Sequence, residues 1–441
     1  MEKPEPKREE AAKAREGNSL TWLHATPVIW AASTYFGEGL PYSIVHQVIG
    51  QQYLTAANYS AEIVGLASLL HAPWLVKFLW SPLVERRAST KQWMVGAQLA
   101  LALLCVVMGT LMSKAAAFTW LLVVLVAMAF TAATNDIAID GYYLRSLDSK
   151  RQTAFSGVRI SAFRAAMLLG SGPIVSFAGL YGFGPAMFVL AGILASLAIL
   201  HAVVLKRDER GSRDENAPSV EARPPNPAPV KTGEAIRAFF GQPLIAPSML
   251  LLLTYRAGDA LLFAMNAKFL ASLGLDTTLR GVVNGTFGTA ASIAGSLAGG
   301  FMIARLSFKR IFVPITLIQS GALLFYHGLA HADVHVYWSD HVTIAGVDVP
   351  ALTLIGATVI AEQFIAGVGT AAFTSFILRL CQGTWKTMHF AFASSLMSVA
   401  ATVAGTVSGY VFSSVGAESF FLVAFFASLP GVAASFVVRK K

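Results

Sequence analysis

The chain has 441 residues, of which 55% are hydrophobic and only 13% charged, and its mean hydropathy is +0.60. A soluble domain carries about a quarter charged residues, so this composition excludes one and indicates an integral membrane protein. The net charge of +9 follows from how membrane proteins distribute cations and does not indicate nucleic-acid binding.

Residues 1–26 are polar and carry no A-x-A cleavage site before the first long apolar run, so they read as a retained cytoplasmic tail and not as a signal peptide. Apolar runs then recur to the end. Cut at charged or Pro/Gly-rich breaks, they give twelve spans near 27–53, 62–83, 93–113, 118–142, 154–178, 183–205, 244–271, 280–304, 310–331, 351–379, 387–414 and 417–438. Each is long enough to cross about 30 Å of hydrocarbon. Residues 206–242, rich in charge and proline, read as a cytoplasmic linker. It separates a six-helix half at 27–205 from a second at 243–438, with 439–441 as the cytoplasmic end. About 26 of the 33 Lys and Arg residues fall in the two tails, the linker and the loops on the same side. Lys114 and Arg280 fall opposite, and Lys77, Arg159, Arg164, Arg256 and Lys268 lie within spans. Positive charge favours the cytoplasm, which puts both termini there.

The stretch NDIAIDG at 135–141 places Asp136 and Asp140 in an otherwise apolar fourth span. An unpaired charge there costs roughly 2.5 to 3.5 kcal/mol on insertion scales. Four residues apart, the two share a helix face that must look into protein or water. Glu38 falls on span one, Arg256 and Asp259 on span seven, and Glu362 on span ten. The basic loops SPLVERR at 81–87 and GFMIARLSFKR at 300–310 resemble the G-x-x-x-D-R loop of the major facilitator superfamily. In that plan helices one, four, seven and ten line a central cavity, so every intramembrane carboxylate falls on a cavity helix.

This placement makes Glu38, Asp136, Asp259 and Glu362 candidate proton carriers. Arg256 and Arg164 are candidates for the anionic part of a solute, with Tyr35, Tyr255 and Asn266 beside them and Tyr42 as a further aromatic group. Lys77 with Asp140, together with Arg159, Glu85 and Arg86, is the candidate inner gate, an interaction made in one state and broken in the other. The tyrosines also fit membrane-interface positions. His46 and His71 suit proton transfer or, on the favoured reading, packing. The run HGLAHADVHVYWSDH, with His327, His331, His335, His341, Asp333 and Asp340, leaves helical spacing midway and is read as no metal site. Cys105 and Cys381 are packing residues, not a disulfide framework. The 37 glycines serve close helix packing, and no Walker-type motif accompanies them.

KFLWSPLVER at 77–86, NDIAIDGYYLRSL at 135–147, FRAAMLLGSG at 163–172, YRAGDALLFAMNAKFL at 255–270, the GVVNGTFGTAASIAGSLAGG run before RLS and AEQFIAGVGTAAF at 361–373 occur in order along both halves. Together they resemble the AmpG muropeptide permeases, of the peptide and acetyl-CoA transporter branch of the major facilitator superfamily. The resemblance implies an all-α fold of twelve transmembrane helices in two six-helix halves. It further implies a proton-driven importer of GlcNAc-anhydromuropeptides in the bacterial inner membrane, serving peptidoglycan recycling. Asp136, Asp140, Arg164, Asp259, Glu362 and Lys77 match charged positions of the family, and Arg256 stands where a lysine is also found. Glu38 and Arg159 depart from it. Since relatives in the branch take siderophores or acetyl-CoA, a siderophore or acyl-CoA-like permease is the second reading, and a membrane-embedded enzyme or sensor the third. No nucleophile–base pair lies within the spans. No cofactor is expected; the expected partners are the solute, protons and the bilayer, and the expected state is a monomer.

Overall fold

In the computed structural model, residues 27–147, 151–152, 155–206, 232–332, 334–336, 341–344, 347–381 and 386–439 are described. They form long helices: α1 (27–56), α2 (Ala61–Leu79), α3 (Thr90–Ser113), α4 (Phe118–Ser146), α5 (Ser156–Tyr181), α6 (Phe183–Val204), α7 (Ile245–Ser272), α8 (Thr277–Leu306), α9 (Phe308–His331) and α10 (Ala351–Leu380). The last helical stretch, Lys386–Val438, breaks at Gly416, whose φ of 76° gives two helices, α11 (386–415) and α12 (417–438). Each expected span is thus a helix, within a few residues at either end. Two features were not expected. A two-stranded antiparallel hairpin, β1 (His341–Ile344) and β2 (Val347–Pro350), precedes α10. The end of the stretch read as linker folds into a short helix, Thr232–Phe240, that buries Phe239 against His389 and Phe392.

The helices obey local rules. Ser89 caps α3 by accepting from Gln92 N while the Gln92 side chain accepts from the Ser89 backbone. Asp276 caps α8 by accepting from Leu279 N at 2.7 Å. Outward faces expose Leu103, Trp120, Leu297 and Phe301, as a lipid-facing surface requires.

Three helices widen into π turns: α1 at Ile44–Tyr53, α5 at Gly170–Ile174 and α8 at Gly281–Gly288. Prolines contribute, since a proline supplies no N–H to the carbonyl four residues earlier. In α1, Pro41 frees the Gly37 carbonyl, which accepts from Asn135 Nδ2 at 3.0 Å and so ties α1 to α4.

The halves meet at the helix ends remote from the N-terminus and linker, the outer end by the charge distribution. Hydrogen bonds join them in this outer part. Gln51 Nε2 donates to Phe263 O at 3.0 Å, Lys268 Nζ to Tyr59 O at 2.6 Å and Arg280 Nε to Gln52 Oε1 at 2.9 Å, while Ser176 Oγ donates to Thr278 O at 3.3 Å. Small residues permit the approach: a Cβ on Gly285 would collide with the Ser171 carbonyl, and one on Gly409 with the Ala61 carbonyl. Inward of this seam the halves diverge around a cavity.

Candidate functional site

A cavity of about 650 Å³ lies between the halves, lined from both of them. Its floor is the outer seam, with Gln51, Gln52 and Ser171 among the residues that close it. Of the expected site residues, Tyr35, Glu38, Arg159, Arg164, Arg256, Asp259, Asn266 and Glu362 line the cavity. Lys77, Asp136 and Asp140 form the layer next to Glu38 and Arg159.

The N-terminal half gathers its charges where α1, α2, α4 and α5 converge. The tightened 3₁₀ turn Lys77–Leu79 ends α2 and directs Lys77 to α4, where it ion-pairs with Asp136. Arg159 Nη2 lies 3.0 Å from Asp140 Oδ1, and the Tyr35 hydroxyl donates to the same oxygen at 2.8 Å. The Arg159 guanidinium sits 4.5 Å over the Tyr35 ring, a cation–π contact. The partners therefore differ from the expected pairing of Lys77 with Asp140: the two aspartates are one helical turn apart, and α2 reaches the deeper one while α5 reaches the other. Glu38 packs its carboxyl against that of Asp136, within hydrogen-bonding reach. Its Oε2 is buried with no protein partner.

In the C-terminal half α7 is interrupted between Thr254 and Ala257, and the break presents Arg256 and Asp259 to the cavity. Asp259 sits in the first turn of the new segment, where the helix dipole favours a negative group. Arg256 Nε is 3.7 Å from Asp259 Oδ2, and Gln319 Nε2 donates to the same oxygen. Glu362 on α10 is buried and accepts from Gln363 Nε2 at 3.1 Å. Arg164 has no ion pair among the described residues and lies near enough to Arg256 for the two to repel.

Tyr255 is not among the cavity-lining residues. Its ring stacks on Phe373 at 4.7 Å, and its hydroxyl donates to Gln319 Oε1 at 2.5 Å, so it packs α7 against α9 and α10. Asn266 donates to Asn284 Oδ1 at 2.8 Å. The side chains of Glu85 and Arg86, and all of Asp333 and Asp340, lie outside the described residues. His331 Nδ1 lies 2.8 Å from Glu418 Oε1, and no metal-binding group of three occurs among the described residues. Cavity residues that the sequence reading passed over include Gln47, Gln51, Asn284 and Gln363, and His46 and His71 line the wall. A signal for part of this existed: 35, 38, 42 and 46 form one helical stripe on α1.

The Major Facilitator Superfamily family model matches residues 28–376. This chain belongs to that superfamily. It is similar to the anhydromuropeptide permease of Escherichia coli K12, with 27% identity over 413 residues, 92% of this chain and 78% of the relative. In fold it is similar to the crystal structure of a bacterial homolog of the human lysosomal transporter Spinster, with a TM-score of 0.64 at 12% identity over 94% of this chain and 95% of that one. The nucleoside transporter NupG gives a TM-score of 0.64 at 13% identity, covering 93% and 98%. The protein is a transporter, not an enzyme, and an integral protein of the bacterial inner membrane.

Proposed function

We propose that this transporter imports anhydromuropeptides, or a closely similar solute that joins a sugar to carboxylates, in symport with protons and by alternating access. The ion pairing in the cavity carries the reading. In the N-terminal half three carboxyls, Glu38, Asp136 and Asp140, face two cations, Lys77 and Arg159. In the C-terminal half Asp259 and Glu362 face Arg256. Each half thus leaves one buried carboxyl outside the ion pairs seen among the described residues, Glu38 in the first and Glu362 in the second, while Arg164 of the first half pairs with neither, and a buried carboxyl without a counter-charge is stable only when protonated. We assign proton carriage to Glu38 with Asp136 and to Glu362 with Asp259. Arg164, which lacks a carboxylate partner among the described residues, and Arg256, which repels it, are suited to a shared anionic group of the solute.

The outer seam supports alternating access, with the cavity open toward the cytoplasm in this state. Lys77, Asp140 and Arg159 are assigned to the inner gate, their partners here all within one half. The similarity to the E. coli permease supports the choice of solute class. The test is uptake of labelled anhydromuropeptide by proteoliposomes with and without an inward proton gradient. Gradient-dependent accumulation is expected; uptake indifferent to the gradient overturns the coupling, and no uptake by folded protein overturns the solute.

A further inference from the structure

One wall of the cavity carries rings and no charge. Tyr42 and His46 on α1, His71 on α2 and Phe163 on α5 line it, and Trp74 on α2 backs it. Ring centroids lie 4.4 Å apart for Tyr42 and His46, 5.7 Å for Tyr42 and Phe163, and 5.5 Å for the two histidines. Trp74 is parallel to His71, 6.0 Å away with 10° between planes. Together the rings form a box open on the cavity side.

The histidines differ from a packing histidine elsewhere in the same half. His201, fully buried, has partners at both nitrogens, Gln98 at 2.8 Å and Ser33 at 3.2 Å. His46 Nε2 is buried with no hydrogen-bond partner, and the Tyr42 hydroxyl has none among the described residues. A buried polar atom without a partner is destabilising, and side chains that evade the rule occur where a ligand supplies the missing bond. The charged groups begin at the edge of the box. Tyr42 lies within the field of Arg256, and Arg164 follows Phe163 on α5. Along α1 the helical rise puts His46 about 12 Å from Glu38, so the box and the acidic cluster occupy different levels of the cavity.

We infer that this box is a saccharide subsite, which takes a pyranose ring of the solute while the solute's carboxylates reach Arg164 and Arg256. The inference rests on the function proposed above and assigns the two chemical parts of that solute to two parts of the cavity. A pyranose offers an axial C–H face that packs on aromatic rings and a rim of hydroxyl and amide groups that hydrogen-bond. Tyr42 and the flanking rings meet the face; His46 Nε2 and the Tyr42 hydroxyl meet the rim. The neutrality of the box excludes the peptide carboxylates from it, and the two arginines hold them at its edge.

The test is binding to purified full-length protein in nanodiscs, measured calorimetrically with three probes: the intact anhydromuropeptide, its peptide-free disaccharide and its sugar-free peptide. Tyr42→Ala and His46→Ala should weaken the disaccharide and the intact molecule at least tenfold and leave the peptide within about twofold. His46→Gln, which keeps a hydrogen-bonding group, should recover part of the loss, and Arg164→Ala should show the reverse pattern. Retained peptide binding also certifies that the variants are folded. Unchanged disaccharide affinity in the box variants, or an equal loss for all three probes, overturns the subsite and leaves the solute class standing. Wild-type protein that binds neither the intact molecule nor the disaccharide overturns both.

Discussion

Glu38 stands against Asp136, and Asp136 is held by Lys77. Two carboxyls in contact repel strongly when both are charged, so a proton shared between them stabilises the pair. Lys77 can balance only one negative charge. On the proton symport proposed above, the trio carries one proton when closed off from water, and opening to either side lets that proton exchange. Glu38→Gln keeps a hydrogen-bonding group of the same shape but cannot release a proton. It should lower uphill uptake at least tenfold in proteoliposomes while solute counterflow, which needs no net proton movement, stays within about threefold of wild type; normal accumulation in the variant would remove Glu38 from the coupling site. Lys77 poses a separate question of stability. Lys77→Met leaves Asp136 in the bilayer without its cation, and because the Lys77 side chain is 32% exposed the loss should be less than the roughly 3 to 5 kcal/mol of a fully buried pair. Thermal unfolding in detergent should show a lower midpoint for Lys77→Met and a recovery in the double variant Lys77→Met with Asp136→Asn, where no lone charge remains.

At the scale of helices, the seam depends on α5 and α8, whose π turns face each other. Ser171 Oγ donates to Gly285 O at 3.3 Å and lies 3.2 Å from Thr289 Oγ1. π turns are rare and widen the helix where they occur; here they bring backbone to backbone, and glycine is required at the contact. Gly285→Val places a branched side chain into the Ser171 carbonyl, so the outer end should not close fully. Cysteines introduced in the outer half of the seam should then react with membrane-impermeant maleimide several times faster than in wild type; an unchanged rate would mean that α8 shifts to absorb the valine. Hydropathy and charge located these helices to within a few residues, because burial in lipid imposes length and polarity directly on sequence. The π turns left no such mark, since Pro173 and the glycines are equally compatible with an ordinary kink. The partners of Asp136 and Asp140 were also hidden. Their shared helix face was legible from the spacing of four, but which cation meets which depends on the 3₁₀ turn that ends α2. Tyr255 shows the same limit: proximity to Arg256 in sequence put it near the cavity, and the break in α7 turned it to the opposite side.

For the whole molecule, under the alternating access proposed above, the central quantity is the balance between the state closed at the outer end and its counterpart open there. Arg280 is buried at 3% exposure, and among the described residues its hydrogen bonds go to neutral oxygens, Gln52 Oε1, Leu275 O at 3.0 Å and Thr277 Oγ1 at 3.0 Å, with the Asp276 carboxylate close enough to act on it through space. Of these, Gln52 alone belongs to the other half. A buried guanidinium is stable when its donors are all met, and the closed seam meets Nε through a residue that departs when the halves separate. Opening returns the arginine to water, which removes the need for Gln52. The interaction thus favours closure through Gln52 and opposes it through the desolvation of Arg280, two opposing contributions of the kind that the proposed cycling between states requires. Gln52→Leu breaks only the first part. An unmet donor on a charged group costs roughly 1.5 to 3 kcal/mol, so the ratio of outer-open to outer-closed molecules should rise about ten- to a hundredfold. Replacing Arg280 as well removes the unmet charge, and Gln52→Leu with Arg280→Met should return toward or past the wild-type balance in favour of closure. Both native cysteines, Cys105 and Cys381, are buried, so spin labels placed on the outer ends of α2 and α8 report distance without interference from them. A long-distance population that grows in Gln52→Leu and collapses in the double variant supports this balance; equal populations in all three proteins would show that the seam is held by its backbone contacts and not by the arginine.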